Sequence, residues 1–99
     1  MNNTQEITPI QIESWKKEHG DVFYAEADGR KAYFRKPSRK DLSYAMTLRD
    51  RPLEMTETLL RNTFLGGDTI FLEDTAHMLG CSALVEQMVQ VKEVEVGKL

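Results

Sequence analysis

The apolar residues of this chain change their spacing along its length, and each change marks an element. Between Pro9 and His19 the apolar positions are Ile10, Ile12 and Trp15, set among polar residues. Thr8 can accept from the N–H groups that a helix start leaves unpaired, Pro9 suits the first helical position, and Gln11 completes a capping-box spacing. Gly20 offers a left-handed stop. A helix is therefore predicted from Thr8 to His19, docked through Ile10, Ile12 and Trp15.

Two runs with the period of a strand come next. Val22–Ala27 and Arg30–Lys36 are rich in β-favouring residues and flank Asp28-Gly29. A two-residue type I′ turn needs positive φ at both central positions, which Asp-Gly tolerates, so the pair predicts a β-hairpin. Alternation puts Ala32 and Phe34 on one face and Lys31, Tyr33 and Arg35 on the other. One face is expected to pack and the other to be basic and wet.

Pro37 cannot continue a ladder, and Ser38 with Asp41 three residues on predicts the start of a second helix. Its apolar stripe is Leu42, Ala45, Met46 and Leu48. Pro52 opens a third helix whose Leu53, Met55, Leu59, Leu60 and Phe64 recur at helical spacing as far as Leu65, where Gly66-Gly67 ends the run. Asp68 is placed to cap the next element. Ile70-Phe71-Leu72 reads as a turn or brief helix, and a final helix opens at Asp74 or Thr75 with apolar positions Ala76, Leu79, Ala83, Leu84, Met88 and Val91. The expected fold is α+β: an N-terminal helix, a β-hairpin, then about three helices in one small, mostly helical domain. That domain spans residues 1–99, with an ordered core over 8–92 and loose tails at 1–7 and 93–99.

Composition narrows the classes. With 99 residues, 40% of them apolar and 29% charged, the chain suits one core and is too apolar for a disordered or collagen-like protein. No run approaches the roughly 20 apolar residues of a membrane span, and Met1–Glu6 lacks the basic and apolar regions of a signal peptide, so no membrane partner and a cytoplasmic location are expected. A single cysteine, Cys81, cannot form an internal disulfide, in keeping with a reducing compartment.

Charge is unevenly spread. The segment Arg30–Lys40 holds six basic side chains (Arg30, Lys31, Arg35, Lys36, Arg39 and Lys40) and no acidic one, leaving seven basic against sixteen acidic residues elsewhere. An acidic body with one basic belt suggests an acidic partner, protein or nucleic acid. The basic hairpin with Tyr24, Tyr33 and Phe34 could bind phosphates and stack bases. No helix-turn-helix, zinc or RNP1 pattern accompanies it, so a small nucleic-acid-binding or regulatory protein using Arg30–Lys40 is the lesser reading.

Candidate chemistry is sparse. His77 and Cys81, four residues apart on a helix, supply two ligands where tetrahedral zinc needs four, and no further Cys or His pair completes the set. Leu65-Gly66-Gly67-Asp68 lacks the strand-first context and the lysine of a phosphate loop. Glu54 and Glu57 share a helix face with nothing to mark them as a catalytic pair. No enzyme activity, metal or cofactor is expected. The residues best placed for a partner are Leu84, Met88 and Val91, on an apolar stripe of the final helix with adaptable methionine, and Arg35, Lys36, Arg39 and Lys40 for steering toward acidic surface.

The run Ala32-Tyr33-Phe34-Arg35-Lys36-Pro37-Ser38-Arg39-Lys40-Asp41-Leu42-Ser43-Tyr44-Ala45-Met46, joined later by Leu65-Gly66-Gly67-Asp68, resembles the small tail assembly chaperones of tailed phages and prophages. The shared order is an N-terminal helix, a short hairpin, an aromatic-Arg-Lys-Pro step into a helix, and a Gly-Gly-Asp break before the closing helix, over residues 8–90. The resemblance implies a non-enzymatic protein of the host cytoplasm. It would coat the long helical tape measure protein, keep it soluble, help tail tube subunits polymerise around it, and be absent from the finished virion. A homo-oligomer is compatible with that role. The Val-Glu-Val alternation after Val91 departs from the family pattern.

Overall fold

The computed structural model describes residues 7–89 and 91–99. Its elements run α1 (Pro9–His19), β1 (Val22–Ala27), β2 (Arg30–Arg35), α2 (Arg39–Met46), α3 (Pro52–Thr63), β3 (Phe64–Gly67), α4 (Ile70–Glu73), α5 (Thr75–Gly80) and α6 (Ser82–Met88). This is a small α+β domain with an N-terminal helix, a β-hairpin and then several helices.

Local chemistry accounts for most boundaries. Gln11 N–H donates to Thr8 Oγ1 at the head of α1. At α2 the capping box is complete, since Asp41 N–H donates to Ser38 Oγ at 3.1 Å and Ser38 N–H donates to Asp41 Oδ2 at 2.9 Å. Asp28 (φ 53°) and Gly29 (φ 78°) adopt the two positive-φ conformations of the hairpin turn. The register pairs Ala27 with Arg30, Ala25 with Ala32 and Phe23 with Phe34.

The sheet has the order β1-β2-β3. Its third strand corrects the expectation that the third helix continues to Leu65. That helix ends at Thr63, and Phe64–Gly67 pair antiparallel with β2, with a bulge at Leu65. Phe64 is in helical phase with Leu60 and Leu65 follows it directly, so spacing alone carries the helix through them; pairing with the inner strand overrides it. Gly66-Gly67 is thus a strand, and the space around it demands glycine. A side-chain carbon on Gly67 would fall 2.5 Å from the Lys31 carbonyl oxygen, and its φ is +107°.

Helices cover both faces. Ala32 and Phe34 are buried against Leu60, Phe71, Met78, Cys81, Leu84 and Met88, and each large side chain buried there contributes about 1.5–3 kcal/mol. On the opposite face α1 lays Trp15 beside Tyr33, ring centroids 5.8 Å apart, and over Gly66. Ile7 also reaches Gly66, so it belongs to the packed domain and not to a loose start; the rest of that expectation concerns residues 1–6, outside the described residues. Ile10, expected to dock α1, is exposed, because the residues of that helix that turn inward are Ile12, Trp15 and His19.

The expected single final helix is two. α5 ends at Gly80 and α6 begins at Ser82, with Cys81 between them. The inward stripe is Met78, Cys81, Leu84 and Met88, at helical spacing across the break, while Ala76, Leu79 and Ala83 face outward. Met46, expected in the stripe of the second helix, is also exposed, and Ala45 takes the buried position. Val91 lies beyond the end of α6, and residues 91–99 are exposed with no helix or strand. Among the described residues no helix is long and apolar enough to cross a membrane.

Candidate functional site

Half of the basic belt is engaged within the fold. Arg35 donates to Asp41 Oδ2 at 2.8 Å, to the Asn62 carbonyl at 2.6 Å and to the Lys36 carbonyl at 3.1 Å. These bonds tie β2 to α2 and α3, so Arg35 is structural before it is anything else. Arg30 lies 3.8 Å from the buried carboxylate of Asp68. Lys31 places its ammonium 4.9 Å from the Tyr24 ring centre and 5.9 Å from that of Tyr33, a cation–π arrangement.

Lys36, Arg39 and Lys40 are exposed at the entrance to α2. The pattern-based expectations missed what surrounds them. Tyr44, one turn beyond Lys40, and Met46 are each more than half exposed on the same helix, and the buried side of α2 is left to Ala45, with Leu42 and Asp41 half-buried. Residues four apart on a helix are surface neighbours, which is the signal that would have joined Tyr44 to Lys40. Arginine, tyrosine and methionine are the side chains that protein interfaces favour over other surface.

A second feature is an open groove of about 700 Å³ between β1 and the α4–α6 side of the molecule, floored by Phe71, Cys81 and Leu84. Its helical bank is low because Ala76, Gly80 and Ala83 stand there. His77 sits on the same bank, its ring edge-on to Phe71 and its Nδ1 2.6 Å from Asp74 Oδ2. The carboxylate can only accept, so the ring nitrogen donates. The His77 side-chain hydrogen bond, reinforced by its backbone N–H, holds the Asp74 carboxyl below the usual carboxylate range. Burial pushes the Cys81 thiol up, opposite to what a reactive thiolate needs. His77 and Cys81 are not joined by further ligands: among the described residues no group of three or more His, Cys, Asp or Glu side chains is placed to hold a metal.

The three apolar residues expected to bind a partner separate in the structure. Leu84 is 8% and Met88 1% exposed, so Met88 is core, and Leu84 is core except for the edge that floors the groove. Val91, 88% exposed, stands apart from them in the extended tail. No protein-family model, curated protein or solved structure matches the chain.

Proposed function

We propose that the protein is a non-catalytic binding module that holds an acidic, amphipathic helical segment of a protein client on the exposed face of α2. The observation that carries this reading is that two pairs, Lys40 with exposed Tyr44 one turn on and Arg39 with exposed Met46 two turns on, edge the solvent-facing side of one short helix. Charge there steers an acidic client, and the aromatic ring and flexible thioether supply contact area that adapts to more than one partner. The resemblance of Ala32–Met46 and Leu65–Asp68 to small tail assembly chaperones supplies the client's identity. It is the tape measure protein of a phage or prophage tail, shielded in the host cytoplasm until tail tube subunits replace the chaperone, which does not enter the virion.

The test is a pull-down of the tagged chain from cells expressing the neighbouring genes, with and without nuclease, beside an Arg39→Glu/Lys40→Glu double variant and Tyr44→Ala. Nuclease-resistant capture of one long helical protein, lost in the variants, is the expected result. Nuclease-sensitive recovery of many unrelated proteins would transfer the function to nucleic acid and the hairpin.

A further inference from the structure

We propose that residues 91–99 of one copy add to the outer edge of β1 in a second copy, as a fourth strand laid along the groove between β1 and α5–α6. Among the described residues no strand pairs with that edge. A bare edge is a template for another chain, and proteins that must not use it blunt it with lysine, proline or a bulge. β1, Val-Phe-Tyr-Ala-Glu-Ala, has no lysine and no proline, and the bulge lies on the far side of the sheet between β2 and β3. Beside the edge the helical bank is cut down to Ala76, Gly80 and Ala83, and a side-chain carbon on Gly80 would meet nothing within 4 Å.

The tail matches this edge in length, pattern and charge. Nine extended residues reach about 30 Å, against about 20 Å for a six-residue strand. In Glu93-Val94-Glu95-Val96 the apolar and acidic positions alternate, and Val94 and Val96 are 66% and 84% exposed in the single copy. With both valines turned to the core side of the sheet, in line with Ala25 and Phe23, they enter the groove beside Ala83. Glu93 and Glu95 then fall on the opposite, basic face, where the Lys31 ammonium already lies across the Tyr24 ring toward the edge. The other parity would drive two carboxylates into the apolar groove. Glu26, the cross-strand partner of Lys31, repels a glutamate placed opposite it, which favours registers that set Glu95 nearer Tyr24.

A second copy, and not the same chain, is the source of the strand. In the single copy residues 91–99 lie exposed and form no strand, so the chain's own β1 edge does not hold its tail. The exchange is also large enough to hold. An extended segment of this length exposes about 1,400 Å²; burying half of each tail and a matching area of groove gives about 2,800 Å² for a reciprocal pair, above the roughly 1,200–2,000 Å² of a stable interface. The α2 face is untouched by this contact, so the inference stands apart from the client reading.

Sedimentation equilibrium of the full chain across a concentration series tests it. A two-chain species is expected, reduced to monomer by deleting residues 91–99 and, separately, by Ala83→Trp, which fills the groove from an exposed position. Circular dichroism of both variants should be unchanged. Mixing the two in equal amounts should restore a two-chain species with one of each, since one supplies the groove and the other the tail. Lys31→Glu should weaken association at least tenfold and Glu95→Lys should recover it. A full chain that stays monomeric, a dimer that survives tail deletion, or a monomer whose tail amides are protected from exchange would each overturn the proposal.

Discussion

Arg35 and Asp41 meet at 2.8 Å, and that contact joins the end of the hairpin to the first turn of α2. Burial alone would raise the Asp41 carboxyl. The Ser38 backbone N–H, the Arg35 guanidinium and the Ser38 hydroxyl outweigh it and hold the group below its ordinary value of 3.8. A carboxyl whose folded value is depressed adds stability that is complete above the unfolded value and is lost as pH falls through the folded one. Asp41→Asn should therefore cost about 2 kcal/mol at pH 7, from the weakened cap and the unpaired Arg35. The gap between variant and parent should begin to narrow as pH falls below that ordinary value and close only once the folded group's own, lower value is passed. Urea midpoints at a series of pH values measure it, and a gap that is constant with pH would assign the loss to packing.

Gly67 has no room to be anything else. Its positive φ and the 2.5 Å approach of a side-chain carbon to the Lys31 carbonyl oxygen mean that Gly67→Ala must push β3 off β2. Strain of this kind costs at least about 2 kcal/mol, a fall of about 10 °C in Tm for a domain of this size. Gly80→Ala, in open space at the end of α5, is the control, and its Tm should hold or rise slightly. Thermal melts of both variants, followed at 222 nm, decide the matter.

How much of the fold is legible in the sequence depends on the range of the interaction. The Asp28-Gly29 turn, the Ser38/Asp41 capping box and the inward parity of Ala32 and Phe34 are set by residues within a few positions of one another, and the pattern of the chain carries them directly. β3 is different: Phe64 satisfies a helical period with Leu60, and only the neighbouring strand, thirty positions or more earlier in the chain, makes it and the residues after it extended. The final stretch is legible only through its phase: Leu84 and Met88 share a helical face with Met78 and Cys81 and are buried with them, while Ala76 and Leu79 belong to the other side and face outward. Apolar identity alone does not separate the two sides. Of the belt, Lys36, Arg39 and Lys40 are placed as surface by charge alone, whereas the fixing of Arg35 by the Asn62 carbonyl depends on a contact that local sequence does not announce.

Cys81 reports on the integrity of the break. It is buried and its thiol is pushed up by desolvation, so a disulfide reagent at neutral pH should modify it slowly in the native protein and completely within the dead time in denaturant. The native rate then measures opening of the α5–α6 junction. Met88→Ala, which empties a fully buried position of α6, should destabilise by about 2–5 kcal/mol and raise that rate by an order of magnitude or more. A native rate equal to the denatured one would show that the thiol is not packed as described.

The belt should divide cleanly by consequence when its charges are removed one at a time. Arg35→Ala deletes three hydrogen bonds, two of which hold β2 to α2 and α3, and leaves Asp41 without its guanidinium. Its effect belongs in the stability of the free protein, about 2–3 kcal/mol as for a hydrogen-bonded charged group. Arg39→Ala and Lys40→Ala remove exposed side chains at the start of α2, where the positive end of the helix macrodipole gives cations no local advantage. Denaturation midpoints should therefore stay unchanged or rise slightly. Their effect belongs in association with an acidic client: slower binding, a smaller dependence of the on-rate on salt, and little change in the off-rate, the behaviour of charges that steer rather than lock. Stopped-flow binding at low and physiological salt, beside urea titrations of the same variants, separates the two roles. If Arg39→Ala and Lys40→Ala leave the on-rate and its salt slope as they were, the α2 face is not where the client lands.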